Sequence, residues 1–169
     1  MASENDHLII RPAASEDAAA LVEILNEIIS AGGTTAIERP LSRSEFGAHY
    51  LHGDRFLACY VAVEPSRREP TGFQALERHP DLPENWADIG TFARMRPKIK
   101  GVGTALFSET RKRARELGLA AINAAIRADN TGGLAYYEKM GFTTYKTLRA
   151  IPLNDGTPID RILKRYDVA

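Results

Sequence analysis

The stretch Arg96-Pro97-Lys98-Ile99-Lys100-Gly101-Val102-Gly103-Thr104 decides how this chain is read. It joins a strand-like run, Ala87 to about Met95, to a segment where Leu106, Thr110, Arg113/Ala114 and Leu117 recur at helical spacing. Glycines at a helix start let backbone N–H groups approach an anion, and the helix N-terminus adds its positive partial charge. Arg96, Lys98 and Lys100 add charge to the same place. The combination suits a pyrophosphate, although on the loop alone an ordinary glycine turn remains open.

Two other nucleotide motifs fit poorly. A Gly-x-Gly-x-x-Gly fingerprint would need a third glycine where Leu106 stands. A P-loop needs Gly-Lys-Ser/Thr, and Gly103 is followed directly by Thr104.

Working outward, Leu8 to Arg11 is a short β-prone run that Pro12 should stop, and Ser15 is placed to cap a helix ending at Gly32-Gly33. A second helix is predicted from Ser42 or Ser44 to about Leu51, then strands at Phe56–Val63, Thr71–Glu77 and Ala87–Met95. After the loop come a helix from Val102 to Leu117, a strand from Leu119 to Ile126 and a short helix from Gly133 to Met140. Phe142–Ile151 and Ile159–Arg165 read as closing strands. At 169 residues, with no repeat or linker, this is one α/β domain.

The 22 basic and 22 acidic residues balance, so no global attraction to nucleic acid or an anionic membrane is expected. No apolar run approaches the ~20 residues that span a bilayer, and Met1 to Asp6 lacks a signal-peptide pattern. Cys59, the single cysteine, lies in an apolar run and reads as a buried packing residue in a reducing compartment. The cytoplasm is the expected location. His7, His49, His52 and His79 show no metal-ligand spacing, so no metal is expected.

A second stretch changes the weight of the first. Asn130-Thr131-Gly132-Gly133-Leu134-Ala135-Tyr136-Tyr137-Glu138-Lys139-Met140-Gly141-Phe142 matches, position for position, a run found in the GNAT superfamily of N-acetyltransferases. Lys98-Ile99-Lys100-Gly101-Val102-Gly103 resembles that family's Gln/Arg-x-x-Gly-x-Gly/Ala loop for acetyl-CoA, departing from it at Lys98. Lysine keeps the charge of arginine and loses its planar fork. The resemblance spans about Leu8 to Arg165 and implies a single-domain GNAT fold: a mixed sheet of about seven strands with about four helices.

Acetyl transfer to an amine needs a base for the ammonium proton, donors for the thioester oxygen and a proton for the departing thiolate. The resemblance implies acetyl-CoA as cosubstrate, held by Lys98, Ile99, Lys100, Gly101, Val102, Gly103, Thr104 and Asn130. It also implies amides of Thr91, Phe92 and Ala93 freed by a β-bulge, and Tyr137 as acid. A core tyrosine is the plainer reading of Tyr137, and Asn130 equally fits a helix cap. Tyr136 points about 100° away on a helix and is not expected to replace it. Asp88 shares a strand face with Gly90 and Phe92 and is the first candidate base; a solvated strand-start residue is the alternative. Glu38 is the second candidate. The basic run Arg111, Lys112, Arg113 and Arg115 reads as a solvated helix face, or as a contact for the 3′-phosphate.

The N-terminal half and the closing Ile159-Asp160-Arg161-Ile162-Leu163 most resemble the phosphinothricin and L-amino-acid acetyltransferase branch, which implies a small, amino-acid-like primary amine as acceptor. Membership of the GNAT superfamily makes a homodimer through the C-terminal strands an expectation. Two rivals stay open: a protein N-terminus or lysine as acceptor, and a CoA-binding sensor without turnover. A closed pocket lined by aromatics such as Phe73 or Trp86 would favour the small amine; a wide acidic groove would favour the protein.

Overall fold

The computed structural model describes residues 8–169; His7 and the Met1–Asp6 segment lie outside the described residues. Strands are β1 (Ile9–Pro12), β2 (Phe56–Glu64), β3 (Glu69–Glu77), β4 (Trp86–Ala93), β5 (Ala121–Arg127), β6 (Thr143–Pro152) and β7 (Pro158–Asp167). Helices are α1 (Ala18–Ala31), α2 (Arg43–Phe46), α3 (Val102–Glu116) and α4 (Thr131–Lys139). The strands form one sheet in the order β1-β2-β3-β4-β5-β7-β6, antiparallel except where β4 meets β5. No helix among the described residues is long and apolar enough to cross a membrane.

Alternation along the strands builds two cores. Cys59, Val61, Phe73, Ala75 and Phe92 meet α1 and α2 on one face. Ala58, Leu76, Ala87, Ile89, Ile122, Ala124 and Ile126 meet α3 and α4 on the other. Phe73 is fully buried between Phe46 and Tyr50, so it lines the core and not a pocket. Burying a side chain of this size contributes about 1.5–3 kcal/mol. Cys59 is buried in the same layer, and burial pushes its thiol up to about 12.

Local signals moved several boundaries. Pro12 ends β1 from within, paired with Tyr60, because an edge strand tolerates a missing donor. Ser15 lies inside a 3₁₀ turn, Ser15–Asp17, and the cap there is Asp17: its carboxylate accepts from Ala14 N–H at 2.7 Å and grips both nitrogens of Arg11. The helix predicted to reach Leu51 is a single α-turn, α2, continued as a π-turn over Gly47–Leu51.

The decisive feature lies between β4 and β5. They pair only at Trp86↔Ala121, Ala87↔Ile122 and Asp88↔Asn123. Beyond Asp88 each keeps its other neighbour, β4 with β3 and β5 with β7, and the sheet opens between them. The β3–β4 register runs unbroken from Glu77↔Asp88 to Gly72↔Ala93, so divergence of two strands opens the gap and the expected bulge in β4 is absent from that ladder.

Candidate active site

Arg94 N–H donates to Thr71 O at 2.7 Å, continuing the β3–β4 ladder. Antiparallel alternation then commits Phe92 and Gly90 to exchange with β3 and turns the backbone groups of Thr91 and Ala93 toward the gap. Of the three amides expected there, Thr91 and Ala93 face the opening and Phe92 belongs to the ladder.

The gap reaches both faces of the sheet. On the α3/α4 face, the Tyr137 hydroxyl lies 2.8 Å from Thr91 Oγ1. Burial pushes the Tyr137 phenol upward, against the opposing effect of the Thr91 hydrogen bond, so it stays protonated at neutral pH. Tyr136 sends its hydroxyl elsewhere, donating to Gly103 O at 2.7 Å and accepting from Gln74 Nε2 at 3.1 Å. The two rings touch edge to face, 4.9 Å apart.

On the α1/α2 face, Asp88 accepts from Asn123 Nδ2 at 2.8 Å, and Tyr145 donates to Asn123 Oδ1 at 2.6 Å. Burial raises the Asp88 carboxyl to about 6; the Asn123 hydrogen bond opposes this and the nearby Glu77 charge reinforces it. Asp88 borders two cavities. One, of about 400 Å³, runs through the gap to Tyr137, Thr91 and Asn130. The other, of about 500 Å³, is bounded by Trp86, Tyr145, Leu148 and Leu163. In the first, the remaining carboxylate, Glu77, is paired with His49 at 3.2 Å. His79, Ala125 and Arg161 line both cavities with Asp88, and the Arg161 guanidinium has no hydrogen bond or ion pair among the described residues.

The loop forms as its glycines require. Gly101 is the N-cap of α3 at φ 84°, ψ 3°, the left-handed region that glycine enters without a Cβ penalty. No side chain caps this helix start, which leaves the first-turn N–H groups of Val102, Gly103 and Thr104 without a side-chain acceptor. Lys98, Lys100 and Thr104 are exposed around it, whereas Val102 is buried and Ile99 is half-buried against it. These unpartnered donors and surrounding cations fit a polyphosphate.

The remaining candidates are held by contacts of their own. Glu38 is exposed, accepts from Asn154 N–H at 2.9 and 3.1 Å, and borders neither cavity, so it anchors a loop away from Asp88. Asn130 caps α4 through Gly133 N–H at 2.9 Å and donates to Thr34 O at 3.0 Å, which engages both ends of its amide. In the basic run, Lys112 pairs with Glu109, Arg113 with Glu116, and Arg115 bonds to Val168 O, as a solvated face would. Gln74, Asn123 and Tyr145 were not singled out by motif or spacing, and Arg161 was given no role of its own.

The comparisons agree with this geometry. The family model described as "Acetyltransferase (GNAT) domain" matches residues 7–143. A search of curated protein sequences finds no match. Among solved structures, a GNAT superfamily phosphinothricin acetyltransferase from Sinorhizobium meliloti, in complex with acetyl-CoA, is 21% identical. The match covers 95% of this chain and 88% of that one, with a TM-score of 0.80. A Salmonella typhimurium protein solved with its cofactor acetyl-CoA is 20% identical over 97% and 95% of the two chains, TM-score 0.82. A ribosomal-protein-alanine N-acetyltransferase from Brucella melitensis is 19% identical over 94% and 99%, TM-score 0.79. At such identities the structural likeness carries the fold, and the family model carries the membership. The chain belongs to the GNAT acetyltransferase family and is an acyltransferase.

Proposed function

We propose that this enzyme transfers acetyl from acetyl-CoA to the primary amine of a small, carboxylate-bearing molecule, by direct attack. The observation that carries the reading is the position of two groups on opposite sides of one opening: Asp88 on the α1/α2 face and the Tyr137 hydroxyl on the α3/α4 face. An amine entering beside Asp88 and a donor threaded beside Tyr137 would meet between β4 and β5. The loop supports acetyl-CoA through uncapped first-turn amides and lysine charge, and two of the similar structures above hold acetyl-CoA.

Bound acetyl-CoA supplies the electrophile: the amine nitrogen bonds to the thioester carbon, the C–S bond breaks, and the electron pair leaves on sulfur. Asp88, with a carboxyl near 6, is largely ionised at neutral pH and takes the ammonium proton that otherwise blocks attack. Thr91 and Ala93 turn backbone groups into the gap, where N–H donors stabilise the thioester oxygen as it gains charge. Tyr137 holds the proton for the sulfur and regains one from solvent.

Acceptor size and charge follow from the cavity beside Asp88. Trp86 and Tyr145 form an aromatic wall, ring centroids 5.8 Å apart, and Arg165 sits over Trp86. With Glu77 engaged by His49, the Arg161 guanidinium, which lines both cavities with Asp88, and the Lys146 ammonium on the second are cations available to a substrate carboxylate. Asp81, Glu77 and Asp88 are balanced there by Arg55, Arg127, Lys146 and Arg161, which does not favour the acidic groove a basic peptide would need. The test follows thiol release from acetyl-CoA with a panel of free amino acids, their decarboxylated amines and short peptides. Release confined to amino acids supports the proposal; preference for peptides points to a protein acceptor, and CoA binding without release to a sensor.

A further inference from the structure

We propose that Gln74 and Thr91 are positioning residues for Tyr137: Gln74 orients the Thr91 hydroxyl so that Thr91 donates to the phenol oxygen, leaving the phenol proton aimed at the CoA sulfur. The proposal rests on the acid role of Tyr137 above, and proton counting carries it. Gly103 O is a carbonyl and only accepts, so the Tyr136 proton, 2.7 Å away, is committed there. Gln74 must then donate to the Tyr136 oxygen, 3.1 Å away, which identifies its amide nitrogen on that side. The same nitrogen lies 2.9 Å from Thr91 Oγ1 and donates its second proton to it. Thr91 thereby accepts from Gln74; the Tyr136 oxygen, which Thr91 also approaches, already accepts from Gln74, so the Thr91 proton goes to the Tyr137 oxygen at 2.8 Å.

The direction of this chain matters when the thiolate forms. Tyr137 can release its proton only if the resulting phenolate keeps a donor, and Thr91 is the side chain hydrogen-bonded to it. A hydroxyl that already accepts a hydrogen bond is a better donor, so Gln74 strengthens that support. Gln74 is fully buried in β3, and its Oε1 has no partner. An amide left half-unsatisfied costs stability, and an apolar residue at this strand position would avoid that cost. The same chain ends on Gly103, linking the phosphate loop to the acid through three side chains, Tyr136, Gln74 and Thr91.

The experiment titrates the thiol of bound coenzyme A by the ultraviolet absorbance of its thiolate, alongside CoA affinity and kcat. Free coenzyme A, titrated in parallel, gives the reference midpoint, which lies above the ~8.5 of a cysteine thiol; Asp88, near 6, is fully ionised across that range. A phenol proton aimed at sulfur lowers the bound midpoint, and Tyr137→Phe should return it toward the free value. Gln74→Glu offers only acceptors, so Thr91 turns its proton to the carboxylate and captures the phenol proton instead. That variant and Thr91→Val should each raise the midpoint by about one pH unit and lower kcat about tenfold or more, with CoA affinity little changed. Thr91→Ser should restore both and separates the hydroxyl from packing if Gln74→Glu folds poorly. If Tyr137→Phe shifts the midpoint while Thr91→Val does not, the positioning role is wrong and the acid role stands. If Tyr137→Phe leaves it unmoved, both fall.

Discussion

Asn123 donates a 2.8 Å hydrogen bond to Asp88 at the last rung shared by β4 and β5, so the candidate base sits where the sheet stops being closed. Backbone pairing and side-chain chemistry end on the same residue. The rung holds the carboxylate still, while the divergence just beyond it opens space for two reactants.

That placement gives Asp88 a measurable pH signature. As a base with its carboxyl near 6, it should make kcat/KM rise through about pH 6 and level off above it. Its folded value lies above the ordinary 3.8. Its contribution to stability is therefore present at low pH and is lost as pH rises through about 6. Asp88→Asn, which keeps an acceptor for Asn123 and cannot ionise, should be more stable at pH 7 by up to about 3 kcal/mol. It should also lower kcat by about a hundredfold. Thermal melts from pH 4 to 8 beside rate profiles check both; a wild-type profile flat through pH 6 contradicts the base assignment.

The loop is predicted to tolerate little. A Cβ on Gly103 would lie 2.6 and 2.9 Å from Tyr136 ring atoms, so Gly103→Ala must push aside the ring that bonds to its own carbonyl. We expect a loss of about 1–3 kcal/mol in stability and weaker CoA binding. Gly101→Val forces a β-branched residue to φ 84° and should weaken CoA binding at least as much. Calorimetric titration with CoA decides, and normal affinity in both variants would show the loop to be misassigned.

Arg161→Gln should raise KM for amino acids about tenfold or more through loss of a charge-assisted pair, with little change for decarboxylated amines. Equal effects on both substrate types would show that Arg161 does not meet a carboxylate.

The sequence made the loop, the Asn130–Phe142 run and the order of elements legible because each is written in local spacing. Gly101 must adopt positive φ, Asn130 must cap, and Asp88 must share a face with Phe92 whatever the rest of the chain does. Contacts between distant segments carry no such local mark. Asn123 meets Asp88 from 35 positions away, and Gln74 meets Tyr136 from 62. Each did leave one trace: a lone amide inside an apolar strand, Phe73-Gln74-Ala75-Leu76 and Ile122-Asn123-Ala124, where burial demands a partner. Tyr136 shows the same limit. Helical geometry turned it away from the place of Tyr137, and only the fold brought it to Gly103. Glu38 shows the converse limit: a loop residue's destination depends on what the loop packs against, here the Asn154 backbone.

The central claim is that Tyr137 supplies a proton to sulfur in the gap between β4 and β5. Its most direct measurement is the rate of thiol release by wild-type protein and Tyr137→Phe, given acetyl-CoA and the preferred amine, with CoA affinity measured in parallel. The account predicts a fall in kcat of about a hundredfold or more with affinity nearly unchanged; undiminished turnover in Tyr137→Phe would contradict it.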